Sequence, residues 1–543
     1  GVGLAGNMRA AVEMVLNSGF QLSPDAFEYL ASKNDPDRLV EAALKSIKGA
    51  GSAPLVLDRS YFEAIESVSK TVGTRACERM SGPGSIAGPE PGIGAGTESP
   101  LQSITSSRTL TNKLEPPRNE QRTAAQPGST FFEEDGVKLI SGLERITIKG
   151  KASDFRDYFR DRLESLSSIL RSRADVSGAT TASQVPDGIK WHKVKFIGMV
   201  NSKKEFRDGT VVVELEDEEG LVKVTFRGDE AIRKKAARLL VDEVVCILGA
   251  TRNGSSVIAE DVIWPDIPYQ SRNLPSSSDH NYAVLTSDVH IGSKTFLRDD
   301  FERFLGWLRG ETDEPRLNEI ASRTKYLVIA GDLVDGVGIY PNQEEELDVA
   351  DLYDQYKIAA EYLSTLPDRI KIIIIPGNHD ACRPTLPTPP IYSDYAAPLY
   401  SMRNVLMLGD PSFVNLGGQT FLLTHGRSLD DVIPFLPDCN FREPQRAMVE
   451  LLKSRHIAPI YGEKTPLAPE PKDRLVIDPV PDIFHAGHVH VEGVAEYRGV
   501  LVVNSGTWQS QTKYQLSAGI VPKPSIVPVV DLSTMKTYEL NFT

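Results

Sequence analysis

Residues 370–380 read Ile-Lys-Ile-Ile-Ile-Ile-Pro-Gly-Asn-His-Asp. A short run of β-branched residues breaks at a proline and passes at once into glycine, amide, imidazole and carboxylate. The run has the length and composition of a strand buried on both faces, and the polar cluster follows as a loop at its C-terminal end. The device recurs. Tyr326–Ala330 runs into Gly331-Asp332-Leu333-Val334-Asp335, and Tyr282–Thr286 into Ser287-Asp288-Val289-His290. Thr420–Thr424 leads to His425-Gly426-Arg427, and Asp482–His485 to Ala486-Gly487-His488-Val489-His490; Val500–Asn504 is a sixth strand-like run. Strands alternating with helices and long loops over residues 280–543 predict an α/β layered domain with its site at the strand ends.

The chain has nine histidines, and five of them (His290, His379, His425, His488 and His490) fall in these clusters. Carboxylate, imidazole and amide oxygen together suit borderline divalent ions such as manganese, iron or zinc. The glycines permit close backbone approach to an ion. A single histidine is ordinarily a core residue; five at strand ends are a pattern. His485 reads as strand-end structure, and His192, His280 and His456 as surface or core. Arg427 reads equally as a phosphate contact or a salt-bridge partner, and Cys382 as a packing residue.

Upstream of this domain, residues 190–270 predict a small β-barrel. The expected strands are Lys193–Val200, Val211–Glu216, Leu221–Phe226, Val244–Leu248 and Ser256–Trp264, with a helix carrying Arg233, Lys234, Lys235 and Arg238 after the third. Three strands, a helix and two strands is the order of an OB-fold, which often binds single-stranded nucleic acid. Candidate groove residues are sparse: Lys203, Lys204, Phe206 and Arg207. A structural or subunit-contact role for the barrel is the plainer expectation. Residues 131–189 are expected to be a partly helical connector with one helix near Asp154–Arg171. Residues 78–130 are rich in Gly, Pro, Ser and Thr and are expected to form a flexible linker. Residues 8–75 predict a helical docking module, with helix starts at Ser23-Pro24 and Asp35-Pro36 and a third helix over Ser60–Val72.

Composition sets the outer bounds. The chain has 543 residues, 74 acidic against 60 basic, and a net charge of −14. That balance argues against strong non-specific nucleic-acid binding by the whole surface and leaves room for a local basic groove. No apolar stretch approaches the roughly 20 residues of a membrane span, and no secretory leader is expected. The four cysteines lie far apart, which suits a reducing, cytoplasmic setting better than a disulfide framework. The first methionine is Met8, so residues 1–7 read either as native chain or as an added extension.

The ordered series Asp-x-His, Gly-Asp-x-x-Asp, Gly-Asn-His-Asp, a single His and Gly-His-x-His resembles the calcineurin-like metallophosphoesterase superfamily. The expected fold class is then multidomain α+β: a helical N-terminal module, an OB-fold β-barrel and an α/β-layered calcineurin-like metallophosphoesterase domain. The resemblance implies two divalent ions, with manganese expected and iron or zinc as alternatives. It implies one ion held by Asp288, His290, Asp332 and His490, and a second by Asp332, Asn378, His425 and His488. It casts His379 as proton donor or transition-state stabiliser, oriented by Asp380, with Asp335 behind the ligands.

The domain order is more specific than the superfamily. With the segments Gly336–Leu347, His456–Gly462 and Leu467–Glu470, it resembles the small subunits of archaeal family D DNA polymerases. That likeness covers about residues 190–543. It implies a 3′→5′ exonuclease that proofreads DNA, acting on single-stranded or mismatched primer 3′ ends. It also implies docking to a large catalytic subunit and, through the N-terminal module, to other replication proteins. The segment Gly336–Asp354 is placed to shape strand entry, and Tyr340 reads equally as a base-stacking or a loop-packing residue. A non-catalytic assembly subunit and a free-standing metallophosphatase are the alternatives.

Overall fold

The central strands of the C-terminal part alternate their side chains between two cores. Ala283 and Leu285 join one core and Val284 the other; Val328 and Ala330 join one, Leu327 and Ile329 the other; Ile373 and Ile375 one, Ile372 and Ile374 the other. Strands that are apolar on both faces must be covered on both. The chain meets this with two packed sheets. One has the strand order Val405–Met407, Lys371–Ile375, Thr324–Ala330, Tyr282–Thr286, Ile526–Asp531 and Lys536–Asn541. The other has Gly493–Tyr497, Val500–Asn504, Ile483–Ala486, Gln419–Leu423, Ser412–Leu416 and Val137–Ser141. Phe421, Leu423, Ile483, Leu501 and Val503 of the second sheet share the inner core with Leu285, Val328 and Ile373 of the first. Helices Arg298–Arg309 and Leu352–Ser364 cover the outer face of the first sheet, and Pro444–Ser454 that of the second.

In the computed structural model, residues 136–185, 191–252, 256–270, 280–517 and 520–543 are described continuously, with scattered positions between residues 11 and 62. The expected linker over residues 78–130 lies outside the described residues. The chain divides into two units, residues 1–118 and 119–543. In the first, helix Pro36–Ile47 starts where Asp35-Pro36 predicts. Gln21–Leu22 pairs in parallel with Val56–Leu57, a contact the helical reading of this segment lacks. Most of the other expected helices there lie outside the described residues.

The barrel has the expected order. Lys193–Glu205, Val211–Glu216 and Leu221–Phe226 precede helix Glu230–Ala237, and Val244–Thr251 and Ser256–Ile263 follow it. Pairing of the first strand with Val244–Thr251 closes the barrel. The first strand is buried on both faces. Phe196 and Val200 fill the barrel, while Ile197 and Met199 pack outward against Leu166 and Leu170 of helix Ala152–Arg171. That helix is the one expected in the connector.

The connector also holds Val137–Ser141, which pairs antiparallel with Ser412–Leu416 as the edge of the second sheet. A buried network fixes the helix to the C-terminal part. Arg162 Nε stands 2.7 Å from Asp473 Oδ2, Arg162 Nη1 donates to Pro459 O at 2.6 Å, and Tyr158 Oη donates to Asp473 Oδ1 at 2.9 Å. His456 Nδ1 accepts from Ala458 N at 3.1 Å, so its Nε2–H faces Asp473 Oδ2 at 2.8 Å.

The basic helix of the barrel is not a free cationic face. Lys235 pairs with Asp261, Lys234 with Glu230, and Arg238 with Asp438 and Glu450, while Arg233 donates to Asp208 O. Lys203, expected in the groove, instead donates to the carbonyls of Ala237 and Leu239 at the end of that helix. Carbonyls at a helix C-terminus lack intrahelical partners and attract a cation. Lys204 lies over the Phe206 ring, 5.3 Å from its centroid.

Candidate metal centre

The polar clusters meet where the C-terminal ends of the two sheets face each other. Asp288, His290, Asp332 and Asn378 come from the first sheet, and His425, His488 and His490 from the second. Asp288 (φ 52°), His290 (φ 53°), Asp332 (φ 51°), His488 (φ 71°) and His490 (φ 62°) all have left-handed backbone. Side chains with a Cβ avoid that region, and where they occupy it the surrounding structure must hold them there. The conformation turns Asp288 and His290, and likewise His488 and His490, inward from a chain whose alternate residues would otherwise diverge. The hydrogen bonds of the crossing loops hold it: Asp288 N donates to Gly331 O at 2.9 Å, and Val289 N and His290 N donate to Asp332 O. Gly377 and Gly487 are required by proximity, because a Cβ on either would overlap the carboxylate of Asp332 or of Asp288.

Two groups of donor atoms result. His490 Nε2 lies 3.2 Å from Asp288 Oδ1 and 3.2 Å from His290 Nε2, and His290 Nε2 lies 3.8 Å from Asp332 Oδ2. Across the cleft, His425 Nε2 lies 3.3 Å from Asp332 Oδ2, 3.1 Å from Asn378 Oδ1 and 3.3 Å from His488 Nδ1. Asp332 Oδ2 thus faces both groups. Asp288 Oδ1 is buried and accepts no hydrogen bond. Buried imidazole nitrogens that face one another, with an unbonded carboxylate oxygen between them, form a poor hydrogen-bond network and a fitting donor set for borderline cations.

Each of four imidazoles is held at the nitrogen that points away. His290 Nδ1 lies 2.9 Å from Asp335 Oδ1, and His425 Nδ1 lies 2.8 Å from Ala330 O. His488 Nε2 lies 3.3 Å from Asp430 Oδ2, and His490 Nδ1 lies 2.7 Å from the side-chain amide of Gln515. The Asp335, Ala330 and Asp430 oxygens accept the N–H of the outer nitrogen and leave the inner one to bind a metal, whereas the Gln515 amide N–H donates to His490 Nδ1 and fixes only the position of that ring. Asp335 lies against the outer nitrogen of His290. Asp430 and Gln515 carry no motif, and sequence reasoning missed both; the only hint was the placement of Asp430 shortly after His425-Gly426-Arg427.

His379 sits at the rim of the same centre, its ring 4.8 Å from that of His290. The expected contact with Asp380 is not made. Asp380 instead accepts backbone N–H groups from Gly377, Leu333 and Val334 and the hydroxyl of Tyr356, tying two loops to helix Leu352–Ser364. His379 Nδ1 is held by Asp335 O at 2.8 Å. His485 lies beside Ser505 and is not among the donors; burial lowers it to about 3, so it is neutral.

The charges answer one another. Burial opposes ionisation of Asp332, yet His425, His379 and His290 hold it well below the usual carboxylate range. Burial also works against a charged His425, but Asp332 and Asp288 outweigh it and push it up to about 10. Burial, reinforced by His290, lowers His379. Burial and the Asp332 charge raise Asp380 to about 6.

A cavity of about 580 Å³ opens over the centre and includes His379, Tyr340, Arg427 and Lys464 in its walls. Among the described residues no helix is long and apolar enough to cross a membrane.

Residues 283–493, the stretch that carries all of these clusters, match the family of the B subunits of DNA polymerases alpha and epsilon. The chain is 43% identical over 405 residues to the DNA polymerase II small subunit of Pyrococcus horikoshii, covering 74% of this chain and 64% of that one. It is 42% identical to the small subunit of Archaeoglobus fulgidus, covering 76% and 82% of the two chains. It is 34% identical to that of Halobacterium salinarum over 528 residues, 96% and 97% of the two. The chain thus spans a little under two thirds of the length of its Pyrococcus relatives and nearly all of the Halobacterium one. On these matches the chain belongs to the DNA polymerase II small subunit family of the archaea.

Proposed function

We propose that this chain is the proofreading subunit of a family D DNA polymerase, a two-metal phosphodiesterase that removes nucleotides from DNA 3′ ends. The polymerase centre then belongs to a large catalytic subunit that docks on it. The observation that carries the reading is the convergence of Asp288, His290, Asp332, Asn378, His425, His488 and His490 from both sheets. The facing imidazoles and the unbonded Asp288 oxygen support their role as ligands. Divalent cations held there would polarise a phosphodiester and offset the charge that builds on it during in-line attack.

The chain's own residues supply the rest. Asp335, Ala330 O, Asp430 and Gln515 fix the imidazoles before substrate arrives, so no reorganisation accompanies the reaction. His379 donates its Nδ1–H to Asp335 O, which leaves Nε2 toward the cavity. There, Nε2 in its protonated form gives its proton to the departing 3′ oxygen. The barrel serves as a structural and partner-contact module, in keeping with the internal pairing of its basic helix.

The test is digestion of 5′-labelled single-stranded and 3′-mismatched primer DNA with manganese, by the chain alone and with the large subunit. His379→Ala is the control. Stepwise shortening from the 3′ end, lost in the variant, is expected. Intact DNA in manganese, iron, zinc and magnesium, with the complex assembled, overturns the nuclease reading and leaves a non-catalytic assembly subunit.

A further inference from the structure

Arg427 and Lys464 line the cavity over the candidate centre, and neither has a carboxylate within 4.0 Å among the described residues. On the basic helix of the barrel, by contrast, Lys234, Lys235 and Arg238 each pair with a carboxylate. Arg427 and Lys464 are also positioned. Asp431 is buried; it accepts Lys464 N at 3.0 Å and Thr465 N at 2.9 Å, and Thr465 Oγ1 donates to Arg427 O at 3.3 Å. One carboxylate therefore ties the Lys464 loop to the turn that carries Arg427. Arg427 Nη1 donates to Pro384 O at 2.8 Å, which fixes the guanidinium and leaves its other N–H groups for a ligand.

Asp430 shares the cavity wall with them. It is engaged by His488 Nε2 at 3.3 Å, and the electrostatic pull of His488, with smaller contributions from Lys464 and Arg427, lowers it despite burial. Asp430 thus faces His488, and neither cation forms a salt bridge with it. Part of the remaining wall is apolar, with Ile339, Tyr340, Phe441 and Ile520, beside the polar Glu346, Gln509 and Thr512. Tyr340 stands 6.4 Å from the His379 ring, steeply tilted to it, with its hydroxyl tied to Glu346 at 3.1 Å. A cavity with a metal-type floor, a separate cationic wall and flat apolar walls has the parts for two linked phosphates and a base.

We propose that Arg427 and Lys464 form a subsite for a non-scissile phosphate of single-stranded nucleic acid, adjoining the reacting one, with Tyr340 facing a base. The subsite makes the centre selective for polymers over isolated phosphoesters. The inference rests on the phosphodiesterase reading and sharpens its substrate.

Two measurements on the full chain test it. The first is binding of a 5′-fluorescein oligo-dT by fluorescence anisotropy in the His379→Ala background, with manganese, across a salt series. Arg427→Ala and Lys464→Ala should each weaken binding about 10- to 100-fold, as loss of a charge-assisted hydrogen bond does. Each should also lower the slope of log affinity against log salt by about 0.7, the value per phosphate contact on a single strand. Arg427→Lys should restore the slope. The second is turnover of the oligonucleotide against bis-p-nitrophenyl phosphate, which has one phosphate. Here the loss in kcat/KM should be at least tenfold greater on the oligonucleotide. Melting curves like that of the unsubstituted chain exclude misfolding.

An unchanged salt slope in both alanine variants overturns the subsite, and so does equal loss on the two substrates. A chain that binds the oligonucleotide through these cations but cleaves nothing refutes the nuclease reading and leaves the subsite standing.

Discussion

Asp332 Oδ2 stands 3.3 Å from His425 Nε2, and the two residues come from the C-terminal ends of different sheets. The closest polar contacts of the candidate centre therefore run across the seam of the fold. A cation bound between them ties the sheets together, so metal binding contributes to folding stability. Manganese at 100 times its dissociation constant is expected to add about 2.7 kcal/mol. A chelator should lower the melting temperature, manganese should restore it, and Asp332→Asn should remove most of the response. Calorimetric scans of both proteins check this; a melting temperature indifferent to manganese in the unsubstituted chain refutes it.

His379 donates its backbone N–H to Asp332 Oδ1 at 2.8 Å and sets its ring edge-to-face with that of His290, while its Nδ1 is held by Asp335 O. Removing the ring should leave metal affinity nearly intact while lowering kcat by about 10²- to 10⁴-fold, the usual contribution of a positioned proton donor. Asp380→Asn should behave differently. It disturbs a carboxylate that accepts three backbone N–H groups, so melting temperature should fall together with activity. Manganese titration calorimetry alongside steady-state kinetics separates the two cases.

Asp430 meets His488 on the side away from His425. A carboxylate so placed holds the proton on Nε2 and leaves the Nδ1 lone pair for a cation. Asp430→Ala is expected to weaken manganese binding about tenfold, as loss of such an outer partner typically does. The neighbouring Asp431, which bonds only backbone N–H groups of Lys464 and Thr465, should affect stability more than affinity. Manganese titrations of Asp430→Ala and Asp431→Ala, with melting curves, decide; equal affinities in Asp430→Ala and the unsubstituted chain refute the role.

What was legible in the sequence follows a physical rule. Asp288, Asp332 and Asn378 each follow a β-branched run, and a strand buried on both faces has few other ways to end. The barrel was legible because alternation and an acidic turn mark its hairpin. Val137–Ser141 was not: five residues with one buried position gain their meaning from Ser412–Leu416, far along the chain. Gln515 and Asp430 are single polar residues whose role exists only in three dimensions. Lys203 was misread for the same reason, since sequence displays a charge and not the carbonyls that occupy it. The partner of His379 was misplaced because adjacency in sequence suggested Asp380, whereas the loop turns that carboxylate back onto the backbone.

Arg162 and Asp473 are fully buried and bonded to one another. Removing one partner leaves a buried charge unanswered, so Arg162→Ala should cost about 3–5 kcal/mol. Arg162→Met with Asp473→Asn should recover much of that loss. The pH dependence has a definite sign. Against burial, His456 and Arg162 hold Asp473 well below the usual carboxylate range when folded. Its contribution is therefore complete above the unfolded value near 3.8 and is lost as pH falls below it toward the folded one. Urea denaturation from pH 7 down to pH 2 should show this fall in the unsubstituted chain and a weaker one in the double variant.

Glu243 gives the opposite sign. Its carboxylate is buried and accepts Leu240 N at 2.9 Å and Trp264 Nε1 at 3.1 Å, with the charge of Lys203 a minor influence opposing burial. Burial raises it from 4.5 to about 7. As pH climbs through 4.5 the unfolded chain gives up this proton while the folded chain keeps it, so folding weakens until the folded group also ionises near pH 7. At about 1.4 kcal/mol per unit the loss is about 2–4 kcal/mol. Glu243→Gln keeps an acceptor for both donors and has no charge to bury. It should match the unsubstituted chain near pH 4.5 and exceed it by that amount at pH 8. Urea midpoints for the two proteins at those values measure the difference, and parallel pH profiles would show that Glu243 is ionised in the fold without penalty.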